Sequence, residues 1–277
     1  MNNIYLNEKT FLKFKNKYST KKDGIYKYDD ILVKELLFDS GYIFNSTIYT
    51  VNSLNDNKNI LPKSLLIPNG YLYVNNKIKC LTMPYINGNT LKETLDNNDI
   101  SLEEKIYYLK EVGKILEDLK QTRNNIKIYL NDLHESNIII DNKGKIYAVD
   151  LDTCKINNNI NFPSKYLNRK SLIKYSKDKY PIVDNFDSPG YVCADENSDL
   201  FCYIIMILNF ISGTDISRIS DKLFLSYLNY LIKVGFDSRL IDSLSKIIAK
   251  EDNVNPYKLL DTIDEKCKNY IKRNKNV

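Results

Sequence analysis

The chain has 277 residues, enough for one large domain or two lobes, and its 43% hydrophobic content is ample for a buried core. Its formal net charge of +5 at pH 7 is small for this length and is spread along the chain, so charge gives no indication of nucleic-acid binding. No apolar run reaches the length of a membrane span, the N-terminus has no apolar signal core and the five cysteines form no C-x-x-C pair, so we expect a cytoplasmic protein.

The region from residue 11 to residue 36 is predicted to form strands. Their sequences are FLKFK, then GIYKY after a polar loop, then ILVKELL after a turn of two aspartates. The last of these strands is apolar up to Lys34, which stands on it as a single charge. Gly24 is the only glycine in this region.

Two helices are predicted further along the chain. The first runs from Tyr42 to Leu54, where apolar residues share an imperfect helical face. The second begins at the capping box formed by Ser101 and Glu104, after which apolar residues recur at helical spacing up to Leu119. The apolar stripe of this second helix predicts a core helix.

The stretch from residue 126 to residue 155 is predicted to form a loop, a strand, a tight turn and a second strand. Residues 138–140 are three isoleucines, residues 141–144 have the sequence DNKG, which is typical of a turn, and residues 146–149 form a second apolar run. This pattern predicts a hairpin with polar residues at its open end.

Three side chains with oxygen atoms are placed close together by this hairpin. Asp132 and Asn137 lie in the loop before it, and Asp150 ends its second strand. Two carboxylates and an amide suit Mg²⁺, which keeps several waters and is usually completed by substrate phosphates. One carboxylate could instead take a proton from an attacking hydroxyl. Asp and Asn are also common in turns, so the prediction depends on the ordered set and not on one residue.

The sequence DLHESN, followed by an apolar strand, a turn and AVD, resembles the catalytic and metal-binding loops of the protein-kinase superfamily. The resemblance implies that Asp132 is the catalytic base and that Asn137 and Asp150 hold Mg²⁺. The strand ILVK is similar to the V-A-I-K strand of kinases, which implies that Lys34 pairs with the α- and β-phosphates of ATP.

The sequence KIKCLTMPYING resembles the last strand of the kinase small lobe and the hinge that follows it. By this resemblance Met83 would lie at the back of the adenine pocket. The Pro84 carbonyl and the Ile86 amide would face the edge of the adenine, and Leu32 and Ile139 would cover the two faces of the ring. Proline lacks an N–H group but keeps its carbonyl, so the expected acceptor is retained.

The chain also departs from the family pattern. Gly24 stands alone where kinases have G-x-G-x-x-G over the phosphates. Near Ser46, where the family's αC helix has a glutamate that pairs with the lysine, no acidic residue is present. After Asp150 the usual Phe-Gly is replaced by Leu-Asp, and the second acid, Asp152, resembles the D-x-D of small-molecule members of the superfamily.

A second ordered resemblance follows the hairpin. The sequences SPGYVCAD and SDLF, before an apolar helix, resemble the G-Y-x-A-P-E and S-D-x-Y-S segments of protein kinases. They imply that Asp195 replaces the family glutamate and that Asp199 anchors the backbone of the catalytic loop from a helix. The long polar segment at 157–187 lies where kinases have their activation and substrate loop.

The resemblance extends over essentially the whole chain and implies an α+β, bilobal, protein-kinase-like fold. A small β-rich N-lobe would comprise residues 1–86, and a larger, mostly helical C-lobe would comprise residues 87–277. The leading hypothesis is an ATP-dependent phosphotransferase, a divergent protein Ser/Thr kinase that uses ATP and Mg²⁺ and acts on a protein substrate.

Two alternatives remain. His134 and Asp152 are similar to residues of small-molecule kinases, so the acceptor could be a small molecule with a hydroxyl group. The lone Gly24 and the missing αC glutamate are typical of a pseudokinase, a binding or scaffold protein that has lost turnover. His134 itself is interpreted either as a packing residue of the loop or as a donor to the catalytic loop or the γ-phosphate. No nucleic-acid or membrane partner is expected.

Overall fold

The computed structural model describes residues 3–20, 22–157, 159, 198–216, 221–242 and 255–275. These residues form both helices and β-sheets, so the coarse prediction of a mixed α and β protein is confirmed. The motif predicted at 188–195 and all but residues 157 and 159 of the predicted substrate loop lie outside the described residues. Among the helices that the structure describes, none is long and apolar enough to cross a bilayer.

A five-stranded sheet is built from residues before position 85. Its strands are β1 (Ile4–Leu6), β2 (Ile25–Tyr28), β3 (Ile31–Glu35), β4 (Gly70–Val74) and β5 (Lys77–Pro84). Their order is β1-β4-β5-β3-β2, with β1 parallel to β4 and the other neighbours antiparallel. The predicted strands GIYKY, ILVKE and KIKCLTMP are confirmed as β2, β3 and β5.

The segment FLKFK is not a strand but part of helix α1 (Glu8–Tyr18). Asn7 caps this helix, because its side-chain oxygen accepts a hydrogen bond from the Thr10 amide at 2.8 Å. Phe11 and Phe14, three residues apart, share the face of the helix that packs on the sheet. The strand prediction was wrong because five residues are too few to distinguish the two-residue hydrophobic period of a strand from the period of a helix. The helical period becomes visible only over the longer segment.

Helix α2 (Gly41–Asp56) confirms the helix predicted from the sequence and covers the other face of the sheet. Val51 of α2 packs in a cluster that includes Leu32, whereas Val33 packs on the α1 side. Successive side chains of a strand point to opposite faces, so Lys34 of β3 points to the same side as Leu32. The sheet therefore presents Lys34 on its α2 face.

Two capped helices follow the sheet. They are α3 (Leu91–Asp96) and α4 (Leu102–Thr122), and the short strand β6 (Gly88–Thr90) precedes them. Each helix begins with a complete capping box, which satisfies backbone donors that the first turn leaves unpaired. The box predicted at Ser101 and Glu104 is confirmed, and the apolar stripe of α4 is buried as predicted.

Gly88 lies directly against the backbone of the next strand in its sheet, β8 (Ile138–Asp141). A Cβ atom at Gly88 would lie 2.0 Å from the Ile140 carbonyl oxygen and 2.8 Å from the Asp141 Cα atom. Both are backbone atoms, so we expect Gly88→Ala to lower the free energy of unfolding by about 1–3 kcal/mol in urea denaturation. The control Asn89→Ala, at the exposed next residue, should change it by less than about 0.5 kcal/mol. Equal losses in both variants would contradict the close approach of β6 to β8.

The predicted hairpin is confirmed. Strand β8 pairs with the antiparallel strand β9 (Ile146–Ala148), and Gly144 in the turn has a φ of 77°. Outside the hairpin, β7 (Ile128–Tyr129) pairs with β10 (Lys155–Ile156). This second pairing brings the two ends of the 126–155 stretch together and closes the loop that carries Asp132.

Three further helices are described, α5 (Ser198–Ser212), α6 (Asp221–Val234) and α7 (Glu265–Lys275). The apolar helix predicted after Asp199 is confirmed as α5, which is almost entirely buried. The Tyr203 hydroxyl donates to the Leu109 carbonyl of α4 at 2.9 Å. The predicted boundary between residues 86 and 87 falls in the link from β5 to β6. The two-lobed arrangement itself stays a prediction.

Candidate functional site

Asp132 and Asn137 lie in one loop between β7 and β8. The side-chain amide of Asn137 donates to the Asp132 carbonyl oxygen at 3.0 Å and to Asp132 Oδ2 at 3.3 Å. These bonds use the nitrogen of the amide, so its oxygen is left on the other side for a different partner. The Asp132 side chain is 24% exposed, so the loop keeps this carboxylate accessible.

His134 lies beside the Asp132 carboxylate, with 3.6 Å between His134 Nε2 and Asp132 Oδ2. His134 Nδ1 accepts a hydrogen bond from the Ser136 amide at 3.2 Å. In the neutral ring the proton is therefore on Nε2, on the side of Asp132. The ring is buried, so His134 both packs in the loop and presents a donor to the carboxylate.

Asp199, in the first turn of α5, holds the start of this loop. Its two carboxylate oxygens accept hydrogen bonds from the Leu130 amide at 2.7 Å and the Asn131 amide at 3.0 Å. Asn131 has a φ of 63°, a left-handed conformation that is uncommon for residues other than glycine. The contact predicted between a helix aspartate and the loop backbone is thus observed, and it stabilises the strained residue next to Asp132.

Two hydrogen bonds connect the loop to the residues around Asp150. The Val149 amide donates to the Asn137 carbonyl at 2.9 Å, which places Asn137 beside the end of β9. The Asn131 side-chain amide donates to the Thr153 carbonyl at 3.0 Å. Asp150 lies between these two connections, also in a left-handed conformation, with a φ of 63°. The backbone of Asn137 therefore lies next to the residue before Asp150, and the metal site that the sequence predicts there stays a prediction.

The Lys34 ammonium reaches from β3 to the turn that begins at Asp150. It donates to Asp150 Oδ1 and to the two carboxylate oxygens of Asp152, at 2.9 and 3.1 Å. Lys34 is 116 positions from Asp150 and 118 from Asp152 in the sequence. The fold thus joins the predicted phosphate-binding residue to the predicted metal-binding turn.

Burial and charge act in opposite directions on this cluster. Burial lowers the pKa of Lys34, but the Asp152 and Asp150 carboxylates outweigh it and hold the Lys34 pKa above its ordinary value. Burial raises the pKa of the Asp152 carboxyl above its ordinary value, against the opposing effect of the Lys34 charge. The Asp152 side chain is 7% exposed and that of Asp150 is 34% exposed, so Asp150 is the carboxylate more open to a ligand.

Helix α2 contributes no acidic side chain to Lys34. Its buried polar residues bond elsewhere: Ser46 Oγ accepts from the Asn159 side-chain amide at 3.0 Å, and Thr50 donates to the Cys154 carbonyl at 3.3 Å. These contacts attach α2 to the chain that follows Asp152. The sequence prediction missed Asp152 as the partner of Lys34. The signal that could have found it is the second acid two residues after Asp150.

The residues predicted around the adenine ring lie in three places. Strand pairing joins Leu32 of β3 to Met83 of β5, on the face of the sheet that also carries Lys34. Ile86 lies on the link after β5, and Ile139 lies on β8, paired with β6 rather than with the five-stranded sheet. Leu32, Ile86 and Ile139 are all half-buried. The pairing therefore brings together Leu32 and Met83 but does not join Ile139 to them.

The Pro84 carbonyl is directed away from β3. The Tyr85 amide donates to the Asp30 carbonyl at 2.8 Å, and hydrogen-bonded pairs alternate along an antiparallel ladder. Pro84, opposite Ile31, is therefore in the position that exchanges no hydrogen bonds with β3. On the side of β5 that faces β4, the hydrogen bond nearest to Pro84 runs from the Asn69 amide, just before β4, to the Thr82 carbonyl at 2.8 Å. The Pro84 carbonyl thus lies beyond the paired part of β4.

Gly24 lies at the turn just before β2, with a φ of 70°, and its carbonyl accepts from the Glu35 amide at 2.8 Å. Strand β2 is an edge strand of the five-stranded sheet. On the side away from β3, an isolated bridge joins Tyr26 of β2 to Ser19. Gly24 is therefore part of the turn that connects α1 to β2.

The side chains at Asp150 fit Mg²⁺ in their chemistry. Within the described ranges no group of three or more His, Cys, Asp or Glu side chains could hold a metal ion. Mg²⁺ in nucleotide sites needs only one or two protein oxygens beside waters and phosphates. The half-buried Asp150 carboxylate and the Asn137 amide oxygen have the chemistry that such a site requires.

The comparisons with known proteins assign no family to the chain. No protein-family model matches it, and the search among curated proteins finds no match. The functional interpretation therefore depends on the residues and contacts described above.

Proposed function

We propose that this chain is an ATP-dependent phosphotransferase with a bilobal, protein-kinase-like fold, in which residues 1–86 and 87–277 form the two lobes. The observation that carries the proposal is the contact of the Lys34 ammonium with Asp150, 116 positions further along the chain. Lys34 and Asp150 were each singled out from a different motif of the same family resemblance. Two unrelated surface residues would have no reason to converge, so their contact supports a common site for phosphate and metal.

Each residue of the loop has a role in this proposal. Asp132 would accept the proton of the attacking hydroxyl, because its carboxylate is accessible and is held by the Asn137 amide at 3.3 Å. Lys34 would pair with the α- and β-phosphates of ATP. Asp150 and Asn137 would hold Mg²⁺, which, when bound, offsets charge on the β- and γ-phosphates.

The nucleotide base would lie next to the link after β5. The Pro84 carbonyl, which β3 does not use, is the proposed acceptor at the adenine edge, and the Ile86 amide is the proposed donor. Leu32 and Ile139 would cover the two faces of the ring, with Met83 behind it. Leu32 already lies on the same face of the sheet as Lys34, which supports its part of this assignment.

A protein Ser/Thr residue is the favoured acceptor, and the cytoplasm is the proposed compartment. The bonds from Asp199 to the catalytic-loop backbone favour a protein substrate, because this helix aspartate belongs to the part of the sequence that resembles protein kinases. Cys80, Cys154, Cys202 and Cys267 are buried and form no disulfide within the described part of the chain, which suits a reducing environment.

Two observations favour alternative functions for the same site. The proximity of His134 to Asp132 supports a small-molecule hydroxyl acceptor, since the sequence around His134 resembles small-molecule kinases. The absence of an acid on α2 that pairs with Lys34 supports a pseudokinase that binds nucleotide without turnover. These alternatives differ in whether the γ-phosphate is transferred and to what.

The test is transfer of labelled γ-phosphate from ATP by the full chain, to itself, to generic proteins and to small compounds with hydroxyl groups. We expect labelling that stops when EDTA removes Mg²⁺ and returns when Mg²⁺ is added. Asp150→Asn should lower the rate by about 10²-fold or more, because it removes charge at the metal. Transfer that is unaffected by EDTA and by Asp150→Asn would overturn the proposal. ATP binding without transfer to any acceptor would leave the pseudokinase.

A further inference from the structure

The Lys34 ammonium and the proposed metal ion share one carboxylate, that of Asp150. Its ammonium contacts both Asp150 and Asp152, and Asp150 is also the proposed metal ligand. A carboxylate that binds Mg²⁺ has less charge to offer an ammonium group. Lys34 therefore needs a second anchor if both groups are to be in place when the phosphates arrive.

Helix α2 does not supply this anchor. Its only acidic residue is Asp56, the last residue of the helix. Along its buried face, Ser46 and Thr50 bond to Asn159 and Cys154. These buried polar residues of α2 thus attach the helix to the chain after the metal-binding turn.

Asp152 has the properties of a fixed anchor. Both of its carboxylate oxygens contact the Lys34 ammonium, at 2.9 and 3.1 Å. It lies on a short 3₁₀ turn, Leu151–Thr153, where Leu151 and Asp152 are both buried. A buried carboxylate on such a short turn has little freedom to move toward a ligand. It therefore holds the Lys34 ammonium in one position.

On the basis of the proposed phosphotransferase function, we propose that Asp152 is the positioning residue that holds Lys34 for the phosphates and thereby leaves Asp150 to the metal. The anchor of Lys34 and the metal ligand then lie two residues apart on one turn. The same turn then positions both cationic groups, the Lys34 ammonium through Asp152 and the metal through Asp150.

A double-mutant cycle between Lys34 and Asp152 tests this role on the purified full chain. We expect Asp152→Asn and Lys34→Met each to lower kcat/KM for ATP by about 10²-fold. The double variant should be no slower than the slower single variant, because Asp152 acts only through Lys34. If Asp152→Asn lowers the rate by the same factor in the Lys34→Met background, Asp152 acts on the metal or substrate directly and the proposal is wrong.

The Mg²⁺ requirement gives a second readout, which a purely structural role would not move. In Asp152→Asn the ammonium has only Asp150 left and competes with the metal, so the Mg²⁺ concentration for half-maximal ATP binding should rise about 10–100-fold. Adding Lys34→Met to Asp152→Asn should restore this concentration toward the wild-type value. No rise, or a rise that Lys34→Met does not reverse, would overturn the proposal.

Asp261→Asn is the matched control, because Asp261 also pairs with a lysine, Lys110, but on the outside of α4. It should leave kcat/KM and the Mg²⁺ requirement unchanged.

If Asp152→Asn does not fold, the rate of the double variant Lys34→Met/Asp152→Leu can be compared with the rate of Lys34→Met alone. Equal rates are expected if Asp152 acts only through Lys34. A wild-type chain that neither binds ATP with Mg²⁺ nor transfers phosphate would overturn the proposed function as well. An additive cycle in an active enzyme would overturn the role of Asp152 alone.

Discussion

Replacing Asp132 with alanine is expected to lower the rate of phosphoryl transfer by about 10²–10⁴-fold, the contribution of a positioned general base. The binding of ATP with Mg²⁺ should change little, because the proposed phosphate and metal contacts are made by Lys34, Asn137 and Asp150. The structure supports this separation. Asp132 Oδ2 contacts Asn137 and His134, whereas Lys34 contacts the other acidic turn.

The measurement is initial rates of γ-phosphate transfer beside the dissociation constant of ATP, for the wild type and each Asp132 variant. Asp132→Asn keeps the shape of the side chain and removes its basicity, so it should be nearly as slow as Asp132→Ala. Asp118→Asn, at a half-buried position of α4, serves as the control and should retain the wild-type rate. An Asp132→Asn enzyme with the wild-type rate would exclude Asp132 as the base.

Replacing Asp199 with alanine is expected to destabilise the protein more than other single changes near the site. Asp199 is 3% exposed, and its carboxylate accepts two backbone hydrogen bonds, from Leu130 and Asn131. Without it, two buried donors lose their acceptor, at a cost of about 1–3 kcal/mol each. The free energy of unfolding should therefore fall by about 2–6 kcal/mol.

Urea denaturation measures this loss, and Asp199→Asn provides a graded comparison. Asparagine keeps one acceptor oxygen in the same place, so its loss should be intermediate. The strained Asn131 should relax once its amide is released, and the loop that carries Asp132 should lose its shape. Phosphoryl transfer should consequently fall even at temperatures where Asp199→Ala remains folded. A change in stability below about 0.5 kcal/mol for Asp199→Ala would contradict the anchoring role.

Local signals were sufficient to predict the hairpin around the site. Three isoleucines, the DNKG turn and a second apolar run determine the pairing of β8 with β9, because each signal acts within a few residues. The capping box at Ser101 likewise determines the start of α4 from four residues. The hairpin also explains why the backbone of Asn137 lies beside the end of β9, one residue before Asp150.

Contacts between distant parts of the chain were harder to predict. The family resemblance places the partner of Lys34 on α2, whereas the structure places Asp152 against Lys34 from 118 positions away. No periodicity links β3 to that turn, so only the three-dimensional fold could select between the two. Helix α1 was missed for a different reason: the five residues FLKFK are too short to show the helical period that extends over Glu8–Tyr18.

Thermal melting of the wild-type chain with ATP alone, Mg²⁺ alone and both together tests most directly whether Lys34, Asn137 and Asp150 form a nucleotide site. A ligand at about 100 times its Kd stabilises the folded state by about 2.7 kcal/mol. For a chain of this size that raises Tm by about 5 °C or more. We expect this rise only when ATP and Mg²⁺ are both present, and its loss in Asp150→Asn. An unchanged Tm, or an equal rise without Mg²⁺, would contradict the proposed site.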